Sequence, residues 1–144
     1  MDNMNNQQNY GPVPDSQNGG NKALAALSYP FWIVAVIAFL VKKDESPYVK
    51  FHAIQAIALA IISFVISALV GVLNTILSVI IGIIQASVDG GGILNLIPML
   101  VGLVGTAAGI AVFVLMIIGL INAIQGTMKP LPLIGEKINE KFNK

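Results

Sequence analysis

His52 and Gln55 stand one helical turn apart in Phe51-His52-Ala53-Ile54-Gln55-Ala56, and no other pair in this sequence is better suited to polar chemistry. An imidazole can move protons or ligate a metal near neutral pH. Catalysis through it needs company: a nucleophile, a carboxylate or further ligands close by. Here there is one histidine, and the next acid downstream, Asp89, lies at the far end of a long apolar segment. Ser63, Ser67 and Ser78 have no base at helical spacing. A catalytic zinc typically takes about three protein ligands, which a lone histidine does not provide. The sequence also lacks cysteine, so thiolate catalysis, disulfides and sulfur-bound metals are excluded. No enzyme activity, cofactor or metal is expected. His52 and Gln55 remain as candidate interaction or anchoring residues. They either hydrogen-bond the first loop or the C-terminal tail and fix the depth of their helix, or form part of a partner- or substrate-contacting site.

What must position this pair is a set of apolar helices. Between Phe51 and Thr127 the only formal charge is Asp89. Of 144 residues, 56% are hydrophobic and 10% charged, against about 25% charged in an average soluble domain. Uncharged apolar runs of this length are bilayer-spanning helices. With no charge in mid-membrane, ion-coupled transport has little support. The net charge is +1 and every basic residue is lysine, so nucleic acid is not an indicated partner. The lipid bilayer is, together with another membrane protein or a second copy of the chain.

The fold expected is all-α: a polytopic transmembrane helical bundle behind a disordered N-terminal tail. Residues 1–21 are mostly Asn, Gln, Gly and Pro, too polar to offset the entropy of ordering. The transmembrane helical domain is 22–127, and 128–144 is a C-terminal tail. Within the domain, a first span covers Ala23–Val41, with a kink or a late start at Ser28–Pro30 because Pro30 removes a backbone donor. Tyr29 and Trp32 suit an interfacial belt at that end. After Lys42-Lys43-Asp44-Glu45, Ser46-Pro47 makes a helix start. Phe51–Val88 would be ~57 Å long as one helix, nearly twice a ~30 Å hydrocarbon core. It is one long helix or two spans turning near Gly71–Thr75. Asp89-Gly90-Gly91-Gly92 breaks the chain, and Ile93–Thr127 is the last span, closed by Pro130 and Pro132. Ile134, Ile138 and Phe142 recur one turn apart, the pattern of a short amphipathic helix at a membrane surface.

Small and polar residues keep helical phase through both long segments. One stripe runs through Ser63, Ser67, Gly71, Ser78 and Gly82, the other through Gly102, Gly105, Gly109, Gly119 and Ala123. Association of helices in lipid relies on close approach, which small residues permit. The stripes are therefore expected to face each other in an antiparallel hairpin. They also favour one continuous helix over a turn at Gly71–Thr75. That gives three membrane segments, four being the alternative. With three, Lys42, Lys43, Lys50, Lys129, Lys137, Lys141 and Lys144 share one side and Lys22 takes the other; with four, the best split is five against three. The excess of lysine on cytoplasmic loops places the N-terminus outside and the C-terminus inside the plasma membrane.

Tyr48-Val49-Lys50-Phe51-His52-Ala53-Ile54-Gln55-Ala56 resembles the segment that marks a bacterial and plastid membrane-protein family. Its best-known member is the roughly twenty-kilodalton inner-envelope subunit of the chloroplast protein-import translocon, and many bacterial relatives are domains of unknown function. Leu27-Ser28-Tyr29-Pro30, the loop at 42–47, Ile121-Asn122-Ala123-Ile124-Gln125-Gly126 and the Pro130–Gly135 run extend the resemblance over residues 22–138. The resemblance implies a compact helical membrane domain and, in plastids, a part in protein translocation. The function expected is that of a non-catalytic structural or interaction component of the membrane, with a subunit of a protein- or solute-translocating assembly as the alternative.

Overall fold

The computed structural model describes residues 12–87 and 91–142. Every regular element among them is helical: α1 (Gly19–Leu27), α2 (Trp32–Lys42), α3 (Pro47–Ser87), α4 (Leu96–Ile124) and α5 (Gly135–Phe142), with short 3-10 turns at Pro14–Gln17 and Gly91–Asn95. The chain divides into two compact units. One comprises the residues up to Ala60 together with those from Leu115 onward, and the other is Ile61–Val114.

The first unit holds nearly all the buried side chains. Asn18 starts α1, its side chain accepting from the backbone N–H of Gly20 (2.9 Å) and Asn21 (3.4 Å). The helix stops before Pro30, and α2 begins afresh after the extended Phe31. The first span expected at Ala23–Val41 is thus two short helices. Ser46 and Pro47 do start α3 as expected: the Ser46 hydroxyl accepts from the Val49 N–H at 3.1 Å, and Pro47 takes the first helical position.

At its other end the unit closes α4 with a glycine. Gly126 has φ 76°, its N–H donates to Ala123 and the N–H of Thr127 donates to Asn122 at 3.1 Å. This paired arrangement satisfies two carbonyls of the final turn, and it needs a left-handed residue that glycine supplies without strain. A Cβ at Gly126 would also run into the Ser16 hydroxyl.

Ser16 belongs to a segment expected to be disordered. Residues 12–21 are instead tied down: Pro12 bridges to Thr127, the Val13 N–H donates to Gly126 at 3.1 Å, and Asp15 meets Asn21 and Ser46. Composition undercounted this segment because its stabilisation comes from hydrogen bonds to distant backbone, not from burying its own apolar surface. Residues 1–11 lie outside the described residues, as do Val88 and, of the expected break, Asp89 and Gly90.

In the second unit α3 and α4 form an antiparallel pair. Val70 lies against Gly105, Asn74 against Gly102, and the Gln85 amide donates to Asn95 at 3.1 Å. Helix α3 runs unbroken for 41 residues, so no turn occurs at Gly71–Thr75. The outer faces are apolar and open, with Phe64 75%, Leu103 66% and Val104 67% exposed. Two stretches are long and apolar enough to cross a bilayer, Pro47–Ser87 and Gly92–Ile124. An all-helical chain that leaves such surfaces uncovered needs lipid as its solvent.

Candidate functional site

Tyr48, His52 and Gln55 fall on one face of α3, four and three residues apart, and all three side chains are fully buried. Each reaches the chain beyond α4 or its last turn. The Tyr48 hydroxyl donates to the Ala123 carbonyl. His52 Nε2 lies 2.9 Å from the Thr127 carbonyl. The Gln55 carbonyl oxygen accepts from the Leu131 N–H at 3.3 Å.

Tyr29, in the break between α1 and α2, completes the cluster with its hydroxyl 3.0 Å from His52 Nδ1. The hydrogen-bond roles fix the tautomer. A carbonyl can only accept, so Nε2 carries the hydrogen; in the neutral ring Nδ1 is then bare, and the Tyr29 hydroxyl donates to it. Three rings pack edge-on to the imidazole: Tyr48 at 4.8 Å, Phe51 at 5.1 Å and Tyr29 at 5.8 Å between centroids. The Tyr29 ring fits because residue 119 is glycine; a Cβ there would overlap it.

Asp15 secures the start of α3 from outside. Its carboxylate accepts from the Ser46 hydroxyl and, at 3.3 Å, from the Tyr48 N–H, while its other oxygen accepts from the Asn21 amide at 2.8 Å. A carboxylate at a helix N-terminus is favoured by the unpaired N–H groups there. The side chain of Asn122 donates to the Lys129 carbonyl at 3.4 Å, holding the first residues of the tail.

Chemically this cluster is a set of hydrogen bonds already made. Among the described residues, no buried side-chain nitrogen or oxygen is without a partner, and no three His, Cys, Asp or Glu side chains gather where a metal could sit. Tyr48, His52 and Gln55 each bond a backbone group that α4's end or the tail leaves open, and His52 bonds the Tyr29 hydroxyl as well. Most residues of the two small-residue stripes are elsewhere, although Gly119 and Ala123 belong to this cluster. Ser63, Ser67, Gly71, Gly102, Gly105 and Gly109 line a groove of about 350 Å³ in the second unit, and Gly119 lies under Tyr29. A Cβ at Gly105 would lie 2.7 Å from Val70; at Gly71, Gly82 or Gly109 it would meet nothing within 4 Å.

Residues 20–138 match the model of the MamF/MmsF family, described as the magnetosome magnetite crystal formation protein family. The chain belongs to that family. Its span, from α1 into α5, takes in the whole cluster around His52. No curated protein and no solved structure matches the chain. Membership of the MamF/MmsF family overturns the kinship with the chloroplast import translocon expected from the same residues. The reason lies in what those motifs do. Tyr48, His52 and Gln55 tie helix ends together, Gly126 closes a helix, and Pro130 packs under Gly135. They specify a fold, and a fold does not carry its cargo with it.

The sequence singled out His52 and Gln55 but missed three partners. Tyr29 was assigned to an interfacial belt, yet it is only 7% exposed. Tyr48 carries a signal in its spacing of four residues to His52 and seven to Gln55. Asp15 carried none, since nothing local marks a carboxylate that caps a helix beginning 32 residues later.

Proposed function

We propose that this chain is a non-catalytic membrane component in the formation of magnetosome magnetite crystals, working by the surface it presents and not by chemistry at a site. The observation that carries this is the state of the His52 cluster. The polar atoms that general acid–base or ligand chemistry would need are already engaged on fully buried side chains: His52 Nε2 and the Gln55 oxygen with backbone at 2.9 and 3.3 Å, and His52 Nδ1 with the Tyr29 hydroxyl at 3.0 Å. On this reading His52 and Gln55 are anchoring residues, and the membrane concerned is that of the compartment in the family's description in place of the plasma membrane. Of the stripe glycines, Gly102 and Gly105 serve helix packing and Gly119 makes room for Tyr29. Three segments cross, α3 and α4 being two of them and the α1–α2 region the third, with residues 42–50 and 128–144 on the cytoplasmic side because seven lysines gather there.

The test is complementation. Expressed in a magnetite-forming bacterium deleted for its own family member, the chain should co-purify with the magnetosome fraction and shift crystal size, measured by electron microscopy. His52→Gln should complement as well as the parent. A chain found in the magnetosome fraction that leaves crystal size at the deletion value would refute the role in crystal formation.

A further inference from the structure

The tail between α4 and α5 holds one residue in a conformation that its type disfavours. Leu133 has φ 72° and is 91% exposed, the most exposed large apolar side chain among the described residues. A non-glycine residue at positive φ is strained and persists only where its surroundings impose it. They do so here. On one side Leu131 is buried with its N–H tied to Gln55, and Pro132 restricts the backbone before residue 133. On the other, Gly135 sits tightly against Pro130 and donates to Leu131 at 2.8 Å. The fold is rigid on both flanks and pushes a leucine outward between them.

We propose that Leu133 is inserted into the interfacial zone of the lipid bilayer, so that the tail is moored to the membrane surface where α4 ends. Two features of the same segment select lipid as the occupant. Lys129 and Lys137 lie four residues to either side of Leu133, both exposed, and suit phosphate headgroups around an inserted apolar side chain. Glu136 and Glu140 leave the 129–141 segment with three lysines against two acids, so a mixed headgroup surface is the fitting partner. Also, α4 brings apolar, open residues up to the point of departure, Ile121 at 46% and Ile124 at 54% exposed, so a lipid-facing surface continues into the tail. This goes beyond the proposed role in crystal formation and stands or falls separately from it.

Tryptophan fluorescence in the full chain tests it. Trp32→Phe removes the single tryptophan, and Leu133→Trp or Glu140→Trp then adds one probe at a time. In vesicles of phosphatidylcholine and phosphatidylglycerol, the Leu133→Trp probe should emit to the blue of the Glu140→Trp probe. It should lose intensity when the lipids are brominated and resist aqueous acrylamide, whereas the Glu140→Trp probe should do the reverse. A Leu133→Trp probe quenched by acrylamide and indifferent to brominated lipid would overturn the proposal. So would one indifferent to both, which would mean protein covers the site. Residue 133 is surface-exposed and every L-residue shares its strain, so both probes should retain the parent's circular dichroism.

Discussion

The ring of Tyr29 occupies the space that a side chain at Gly119 would fill, which locks the break between α1 and α2 against the last third of α4. Gly119→Ala should therefore cost about 1–3 kcal/mol by overpacking, because a ring wedged between His52 and a helix backbone cannot swing away. Gly109→Ala, with open space around it, should be near neutral. Thermal unfolding in detergent ranks the two. Equal effects would show that the ring gives way easily.

His52 links Tyr29 to Thr127, and removing its polar atoms orphans both partners. His52→Leu should lower stability by about 1–3 kcal/mol, since a part-buried carbonyl and a buried hydroxyl lose their bonds together. His52→Gln keeps an amide N–H for Thr127 and should be milder. In a cycle with Tyr29→Phe the losses should not add, because the hydroxyl has nothing to donate to once the imidazole is gone. Additive losses from denaturant titration would argue that the two residues act independently.

What the sequence made legible was local. The all-helical class, the start of α3 at Ser46-Pro47, the interruption at Pro30 and the end of the last span before Pro130 rest on residues within one turn of the event. The His52 cluster was half legible: the pair on α3 announced itself by spacing and polarity, but its partners are 75 and 76 positions away. Contacts at that separation leave no periodicity. The same applies to Asp15, whose surroundings of Asn, Gln and Gly suggested a solvated tail until Ser46 was placed beside it. The resemblance to the import-translocon family rests on motifs that tie helix ends together, and such motifs specify a fold without its function.

Asp15 serves as a detached cap for α3, and its loss should resemble the loss of an N-cap. Asp15→Ala should cost about 0.5–2 kcal/mol, and Asp15→Asn less, because the amide oxygen still accepts from the Tyr48 N–H. Hydrogen exchange at Tyr48 and Val49 should speed up in Asp15→Ala with little change along the middle of α3. Unaltered exchange at those two amides would mean that the cap is supplied by Ser46 alone.

The proposed orientation can be read by labelling, since the chain has no cysteine. Asp44, Gly92 and Glu140 are exposed and suit single cysteines, whereas Ser46 is buried and bonded to Asp15. Expressed in a host that forms no magnetosomes, where the chain inserts into the cytoplasmic membrane, it should take an impermeant maleimide, added to intact cells, at residue 92 only. Labelling at 44 or 140 but not at 92 would reverse the orientation, and labelling at 44 and 92 together would break the assignment of α3 as a single crossing.

The α3–α4 hairpin is the part of the molecule where lipid replaces water as the competitor for every contact. Apolar side chains gain little there by leaving an apolar solvent, so the pair depends on how closely the backbones approach. Of the α4 glycines facing α3, Gly105 is the most tightly packed: a Cβ would already lie 2.7 Å from Val70, and a leucine would have to push the helices apart or displace Val70. Gly105→Leu should lower the melting temperature of the detergent-solubilised monomer, while Ile110→Leu, at a 60% exposed position, should be silent. A Val70→Ala companion should recover part of the loss by making room, which a general effect of leucine on the helix would not allow. Cysteines placed at Asn74 and Gly102, which face each other, should crosslink within one chain, and a pair at Gly82 and Gly102, offset by about two turns, should not. If Gly105→Leu leaves the monomer's melting temperature unchanged but abolishes an oligomer on size exclusion, the glycine face belongs to a contact between chains and the intramolecular packing assigned to it fails.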